Sequence, residues 1–282
     1  MSCSACFSGA QHEGTPKGTN RQLHGYNTYI TPADYNPNNP TILYLPDFFS
    51  HNLVNNKLLA DRYAAAGFNV IFPDIILWGG APASYMPTFE AMLAPESSFL
   101  TKLWANIMAL PLLPLLVFGM PPRRFPEVLR YARAVKESLP AGAKLGAAGF
   151  CWGGYCTTHL CKESVVPGGT ERLLDAQFCG HPGLLKTPVD ILEAVNAGVP
   201  YSIAVAELDF QFNGALALET EAALREQVSV SETEGDRNYE VRIYKGAHHG
   251  FCVRAKPDVK EDVEGSEQAV EQAIVWFKKH LT

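Results

Sequence analysis

The 282-residue chain is predicted to form a mostly parallel, doubly wound α/β sheet. Short apolar runs that stop at a proline or a loop alternate with stretches of helical periodicity, the pattern of strands and covering helices. With 47% hydrophobic and 18% charged residues, the chain can bury a large core. No internal repeat, charge block or low-complexity tract divides it, so one domain over 1–282 is expected.

Taken in order, residues 1–25 are rich in Gly, Thr and Asn and are expected to wrap the surface. T-I-L-Y-L, 41–45, ends at Pro46 as a buried strand would. From Val54 to Ala66 the apolar residues fall at helical spacing, and Gly67 follows as the capping residue. F-N-V-I-F, 68–72, is the next strand, closed by Pro73. Residues 75–122, rich in proline and apolar side chains, read as an irregular insertion or lid. Helical periodicity resumes over 126–138, K-L-G-A-A at 144–148 is a strand, and 155–162 is a helix. Further strands are expected at 174–178, 201–206 and 239–244, with helices at 188–196, 215–227 and 264–280.

Composition narrows the function. The formal charge is −6 with no lysine/arginine cluster, which disfavours nucleic acid as a partner. Seven cysteines, an odd number in a chain that is not small, suggest no disulfide framework. The first residues lack a basic and then apolar leader, so a reducing, cytoplasmic setting is expected. Cys3 and Cys6 form a C-x-x-C, but only His12 is near, so a mobile terminus is expected rather than a metal site. No metal and no organic cofactor is indicated. Leu103–Met120 carries no charge and reaches spanning length. Pro111 and Pro114 interrupt it and Asn106 lies within it, so a buried or lid-like segment is expected and no membrane span.

The chemistry centres on Gly149-Phe150-Cys151-Trp152-Gly153, a G-x-C-x-G between a strand and a helix. In a nucleophile elbow the reactive residue takes a strained conformation, and small residues two before and two after relieve the crowding. The following helix N-terminus favours an anion, which suits a thiolate and a developing oxyanion. A buried cysteine in a tight turn would produce the same pattern, so the partners decide. A thiol nucleophile needs a base, and the base needs an orienting carboxylate. Tyr201–Asp209 runs as a strand to Glu207 and Asp209, and the exit of V-R-I-Y-K-G-A-H-H-G-F, 241–251, carries His248 and His249. Cysteine, acid and histidine thus follow three strands in chain order.

G-F-C-W-G-G, the strand-end Asp209 and Y-K-G-A-H-H-G-F resemble the dienelactone hydrolase family, cysteine-dependent members of the α/β-hydrolase fold. H-E-G-T-P-K-G, 12–18, resembles the leader of fungal members. The resemblance covers nearly the whole chain and is weakest over about 79–122. It implies Cys151 as nucleophile, Asp209 as acid and His249, immediately before Gly-Phe, as base. Asp47 in L-P-D-F-F stands where many bacterial members have a glutamate that contacts the resting thiol. The backbone N–H groups of Phe48 and Trp152 would be the oxyanion donors. Arg254 falls near a substrate-binding arginine of bacterial members, one position later; Arg124 is an alternative, and a solvated helix start explains it equally well. His181 is a candidate pocket-edge residue or a structural histidine, and Trp78 a candidate substrate contact or a core aromatic.

The implied activity is opening of a lactone or cleavage of an ester, with an apolar lid that favours a larger substrate than a small diene lactone acid. A biosynthetic hydrolase, cyclase or thioesterase acting on a polyketide-like acyl chain is a second possibility. A non-catalytic binding protein of the same fold is a third, disfavoured by the intact Cys151, Asp209 and His249. A monomer and a homodimer are both compatible with the sequence.

Overall fold

In the computed structural model, which describes residues 9–93, 97–227 and 238–282, the chain builds one eight-stranded sheet. The Cys3–Cys6 pair lies outside the described residues. An antiparallel hairpin opens the sheet, β1 (Thr19–Leu23) and β2 (Tyr26–Thr31), turning at Gly25 with φ 88°. Six parallel strands follow: β3 (Thr41–Leu45), β4 (Asn69–Pro73), β5 (Leu145–Phe150), β6 (Ala176–Gly180), β7 (Tyr201–Ala206) and β8 (Tyr239–Tyr244). The order across the sheet is β1-β2-β4-β3-β5-β6-β7-β8. Every residue of β3, β5 and β7 is buried, because helices cover both faces.

The helices are α1 (Val54–Ala65), α2 (Met86–Leu93), α3 (Phe99–Ala109), α4 (Leu113–Phe118), α5 (Pro121–Ser138), α6 (Trp152–Leu160), α7 (Val189–Asn196), α8 (Gly214–Gln227), α9 (Phe251–Arg254) and α10 (Lys260–Leu281). On one face, α1 packs on β4 and α10 on β5, β6 and β7. On the other, α6 lies over β3, β5 and β6, flanked by α5 and α7, with α8 over β7 and β8. Phe277 of α10 centres the first face, its ring 6.1 Å from Phe68 and 6.5 Å from both Tyr63 and Phe178.

The chain leaves β3 in one direction to reach β4 and returns across β3 to reach β5, so the strand order reverses between β3 and β5. Crevices at the carboxyl ends of such a pair are where open α/β sheets place their sites. Asp47 and Phe48 follow β3 there, and Cys151 follows β5.

Several local expectations are corrected. Residues 75–122 are not irregular: α2, α3 and α4 occupy much of the segment. Ser98 caps α3 by accepting from the Thr101 N–H at 3.1 Å. Pro111 and Pro114 stand in the first turns of successive short helices, where no intrahelical donor is required, so they start helices instead of breaking one. For the same reason α5 begins at Pro121, five residues before the expected start. The helix after Cys151 begins at Trp152, three residues early, because the glycines after the cysteine are helical. The sixth strand is shifted to 176–180. The β1–β2 hairpin and α9 were not anticipated, and Thr19–Leu23 belongs to the sheet edge.

Removing the Phe277 ring should destabilise the protein by about 3–5 kcal/mol. Urea unfolding of Phe277→Ala measures this, and a loss below about 1 kcal/mol would deny α10 its place in the core.

Candidate active site

The turn from β5 into α6 sets the geometry. Cys151 has φ 49° and ψ −103°, a conformation that side-chain-bearing residues rarely adopt. It is held there because the flanking chain passes very close to its neighbours. A Cβ on Gly149 would lie 2.4 Å from the Gly153 carbonyl oxygen, and one on Gly153 only 2.0 Å from that of Leu45. Both positions therefore require glycine. The Gly153 N–H donates to Pro46 at 2.9 Å, locking the start of α6 onto the exit of β3.

That lock brings two amides to one place. Among the described residues, no group accepts from the N–H of Phe48 or Trp152. Both residues line the cavity that contains Cys151.

His249 reaches the thiol from the loop after β8. Its Nε2 is 3.1 Å from the Cys151 Sγ, and its Nδ1 donates to the Asp209 Oδ2 at 2.8 Å. Asp209 is oriented by a second bond, its Oδ1 accepting from the Gln211 N–H at 2.8 Å. Burial opposes a charge on the imidazole, but Asp209 on one side and the Cys151 sulfur on the other outweigh it. His249 is raised to about 10. Glu207, the other acid at this strand end, turns away to accept from the Gly246 N–H. His248 engages Asp262.

Behind His249 stands His181, fully buried, with ring centroids 5.1 Å apart. Among the described residues, neither of its ring nitrogens has a hydrogen-bond partner. Burial, then the charges of His249 and Arg254, push it well below the ordinary histidine range, so it stays neutral. It does not line the cavity.

Asp47 is completely buried, its Oδ1 accepting from the Phe49 N–H at 3.2 Å and the Asn56 amide at 3.0 Å. Its Oδ2 pairs with the Arg254 guanidinium, itself only 3% exposed and 5.2 Å above the Phe49 ring. No hydrogen bond joins Asp47 to Cys151. Arg254 can reach Asp47 because Gly250, at φ 95°, leaves room: a Cβ there would lie 2.4 Å from the Arg254 Nη2. Arg254 borders the cavity. Arg124 does not; it donates to the Ile75 carbonyl and pairs with Glu127. Trp78 lies outside the cavity, 62% exposed.

The cavity measures about 280 Å³. Its walls come from the loop after β3 (Phe48, Phe49), from α2 (Phe89, Met92) and from the far end of the cap (Leu116, Met120). Sequence reasoning missed Phe210, whose ring is 4.9 Å from that of His249, and Gln211. Their adjacency to Asp209 was a usable signal. Phe89 and Met92 offered none, because they reach the site only through the folding of the cap.

The Dienelactone hydrolase family matches residues 27–281. "Hydrolase pyvD" of Aspergillus violaceofuscus is 29% identical over 98% of this chain and 96% of its own length. "Dienlactone hydrolase 1" of Gibberella moniliformis is 25% identical, with 96% and 91% covered. The crystal structure of a putative dienelactone hydrolase from Klebsiella pneumoniae superimposes with a TM-score of 0.60 at 19% identity, covering 91% of this chain and 95% of that one.

Two outcomes follow from this geometry. Cys156, Cys161 and Cys252 are buried and pushed well above the ordinary thiol range, and burial raises Cys179 to about 11. Iodoacetamide at neutral pH should therefore modify Cys151 on the order of 100-fold faster than these four. Peptide mass mapping reads the rates, and equal rates would remove Cys151's special status. The raised His249 should stabilise the fold fully below its unfolded value of 6.5, and that contribution should vanish as pH rises through about 10. Chemical unfolding across this range should show the decline, and Asp209→Asn should flatten it; an equally steep decline in that variant would contradict the assignment.

Proposed function

Because the chain belongs to the dienelactone hydrolase family, a family of lactone and ester hydrolases, we propose that it opens uncharged lactones or cleaves uncharged esters by cysteine-dependent acyl transfer. The carrying observation is the continuous line from the Cys151 Sγ through His249 to Asp209 at the wall of an apolar cavity.

Cys151 attacks the carbonyl carbon, and the resulting oxyanion receives the spare N–H groups of Trp152 and Phe48. One such donor contributes on the order of 10²–10³-fold in rate. Collapse of the tetrahedral intermediate breaks the carbon–oxygen bond, and the leaving oxygen takes a proton from His249 Nε2. The acyl group is now a thioester on Cys151. Acylation also removes the thiolate charge, one of the influences that raise His249, so the imidazole becomes available as a base. It takes a proton from water, the hydroxide attacks the thioester, and the thiolate leaves. Asp209 holds the Nδ1 proton throughout, keeping Nε2 towards the reaction. A stabilised enolate leaving group eases acylation, and amides are poor substrates.

The preference for an uncharged substrate is supported by charge accounting in the walls. Two cations border the cavity among the described residues, Arg254 and the raised His249, and each already has a carboxylate partner, Asp47 for the first and Asp209 for the second. A substrate carboxylate would lose its hydration among phenylalanines and methionines with no unmatched positive charge to replace it. Five unpaired cysteines among the described residues support a reducing, cytoplasmic compartment.

The test is hydrolysis of p-nitrophenyl esters of increasing chain length, an acyl thioester, and a dienelactone carboxylic acid beside its methyl ester. Native protein should prefer the methyl ester by at least about tenfold in kcat/KM. Cys151→Ala should lose on the order of 10⁴-fold. Activity that survives Cys151→Ala would reject the cysteine mechanism; a preference for the free acid would reject the charge selection alone.

A further inference from the structure

The cap carries an outer face that hydrolysis does not use. Of the eighteen large apolar side chains exposed among the described residues, nine fall between Phe99 and Phe118. Their exposure runs from 44% at Met108 to 78% at Phe99. Along α3 they occupy successive i, i+4 rows, Phe99–Leu103–Ile107 and Leu100–Trp104–Met108, so the middle of the solvent side is apolar, with Thr101 and Asn106 the exposed polar residues on it. The inner side is apolar as well: Ala105 and Ala109 are buried where α3 packs on α2, and Leu112 and Leu115 join the core. An exposed apolar face of this breadth is ordinarily covered by protein or by lipid.

We propose that α3 and α4 form a docking surface for a phospholipid bilayer, lying in the headgroup–acyl boundary without crossing it. Residues Phe99–Phe118 match a membrane span in length and apolarity, but the chain does not use them as one straight helix. The eleven residues of α3 extend only about 16 Å, roughly half a hydrocarbon core, before the turns at Pro111 and Pro114. The inner face is committed to the protein, leaving one apolar side to immerse.

Charge selects the occupant. Between residues 97 and 126 there are three cations, Lys102, Arg123 and Arg124, and no carboxylate, in a chain whose formal charge is −6. Arg124 is paired with Glu127, whereas Lys102 and Arg123 have no carboxylate partner among the described residues, Arg123 donating to the Val117 carbonyl. Arg123 lies 5.9 Å over the Phe118 ring, its apolar body on the aromatic and its charge at the rim. Aromatic and leucine side chains edged by Lys and Arg are the composition of an interfacial helix meeting phosphate headgroups. A second copy fits less well. A two-fold contact through this face would bring Lys102 and Arg123 of both copies together with no carboxylate to pair them.

The surface also continues into the cavity. Leu116 and Met120 line it, while Phe118 between them is 61% exposed. An apolar molecule dissolved in the bilayer would meet the cap on its way to Cys151, without passing through water.

The experiment is flotation of the full chain with vesicles of phosphatidylcholine, alone and with about 20% phosphatidylserine. A tryptophan-quenching readout with brominated lipid accompanies it. Native protein should float with both vesicles, several-fold more tightly with the anionic lipid, and bromolipid should quench its emission. Trp104→Phe should lose most of that quenching, a readout that needs no destabilising change. Leu103→Ser/Trp104→Ser/Ile107→Ser should bind vesicles at least about tenfold more weakly at an unchanged thermal midpoint. The proposal is overturned if native protein stays off the vesicles as a monomer. It is equally overturned if light scattering shows a dimer that the triple variant dissolves, which would make a second copy the occupant. Quenching that persists in Trp104→Phe would also reject it.

Discussion

The close approach of Gly153 to the Leu45 carbonyl is the constraint from which the rest of the site follows. Only a residue without a Cβ lets α6 start against the end of β3, and that packing holds Cys151 in its positive-φ conformation. Such a backbone costs on the order of 1–3 kcal/mol by itself, offset by the buried strands on either side. In return the thiol stands at the carboxyl end of the central strand β5, at the N-terminus of a helix, with Trp152 and Phe48 lining the same cavity. A larger residue at 153 would separate β3 from α6 and disperse these groups together.

Two buried charge systems meet at the cavity, and their separation shapes its chemistry. One runs from Asp209 through His249 to Cys151; the other is the Asp47–Arg254 pair, fixed by Asn56 and the Phe49 amide. No hydrogen bond links them, so the first can exchange protons while the second remains a neutral wall. His181 fits the same pattern. Packed beside the raised His249 and held far below its ordinary value, it adds bulk behind that imidazole without adding charge.

The cap relates to this wall by its two faces. Phe89, Met92, Leu116 and Met120 give the cavity that contains Cys151 apolar walls, and a low-dielectric surround strengthens the electrostatic interactions beside it. The same helices are apolar outward. An enclosing roof alone needs only its inner face to be greasy, so the outer face requires its own explanation, and lipid supplies one consistent with Lys102 and Arg123 at its margin.

Much of this was readable along the chain because local rules dictate it. Strands 41–45 and 201–206 follow from nearly continuous apolar runs and 239–244 from apolar–charged alternation, and G-F-C-W-G-G announces a tight strand-to-helix turn because few residues but glycine tolerate such crowding. The order of Cys151, Asp209 and His249 after three strands, β5, β7 and β8, is a property of the sequence itself. The family resemblance rests on those same residues. Proline misled where it is read as an interruption: at 111 and 114 it begins helices, since the first turn needs no donor from it, and Pro121 does the same for α5. Other features were settled only by tertiary structure. Arg254 neutralises Asp47 across 207 residues of chain, Arg124 turns to Glu127, and Phe89 and Met92 arrive at the cavity through the packing of the cap. Local propensity determines which backbone conformation each segment can adopt. The partner of a buried charge depends on which distant segments share its volume, and that is decided when the layers pack.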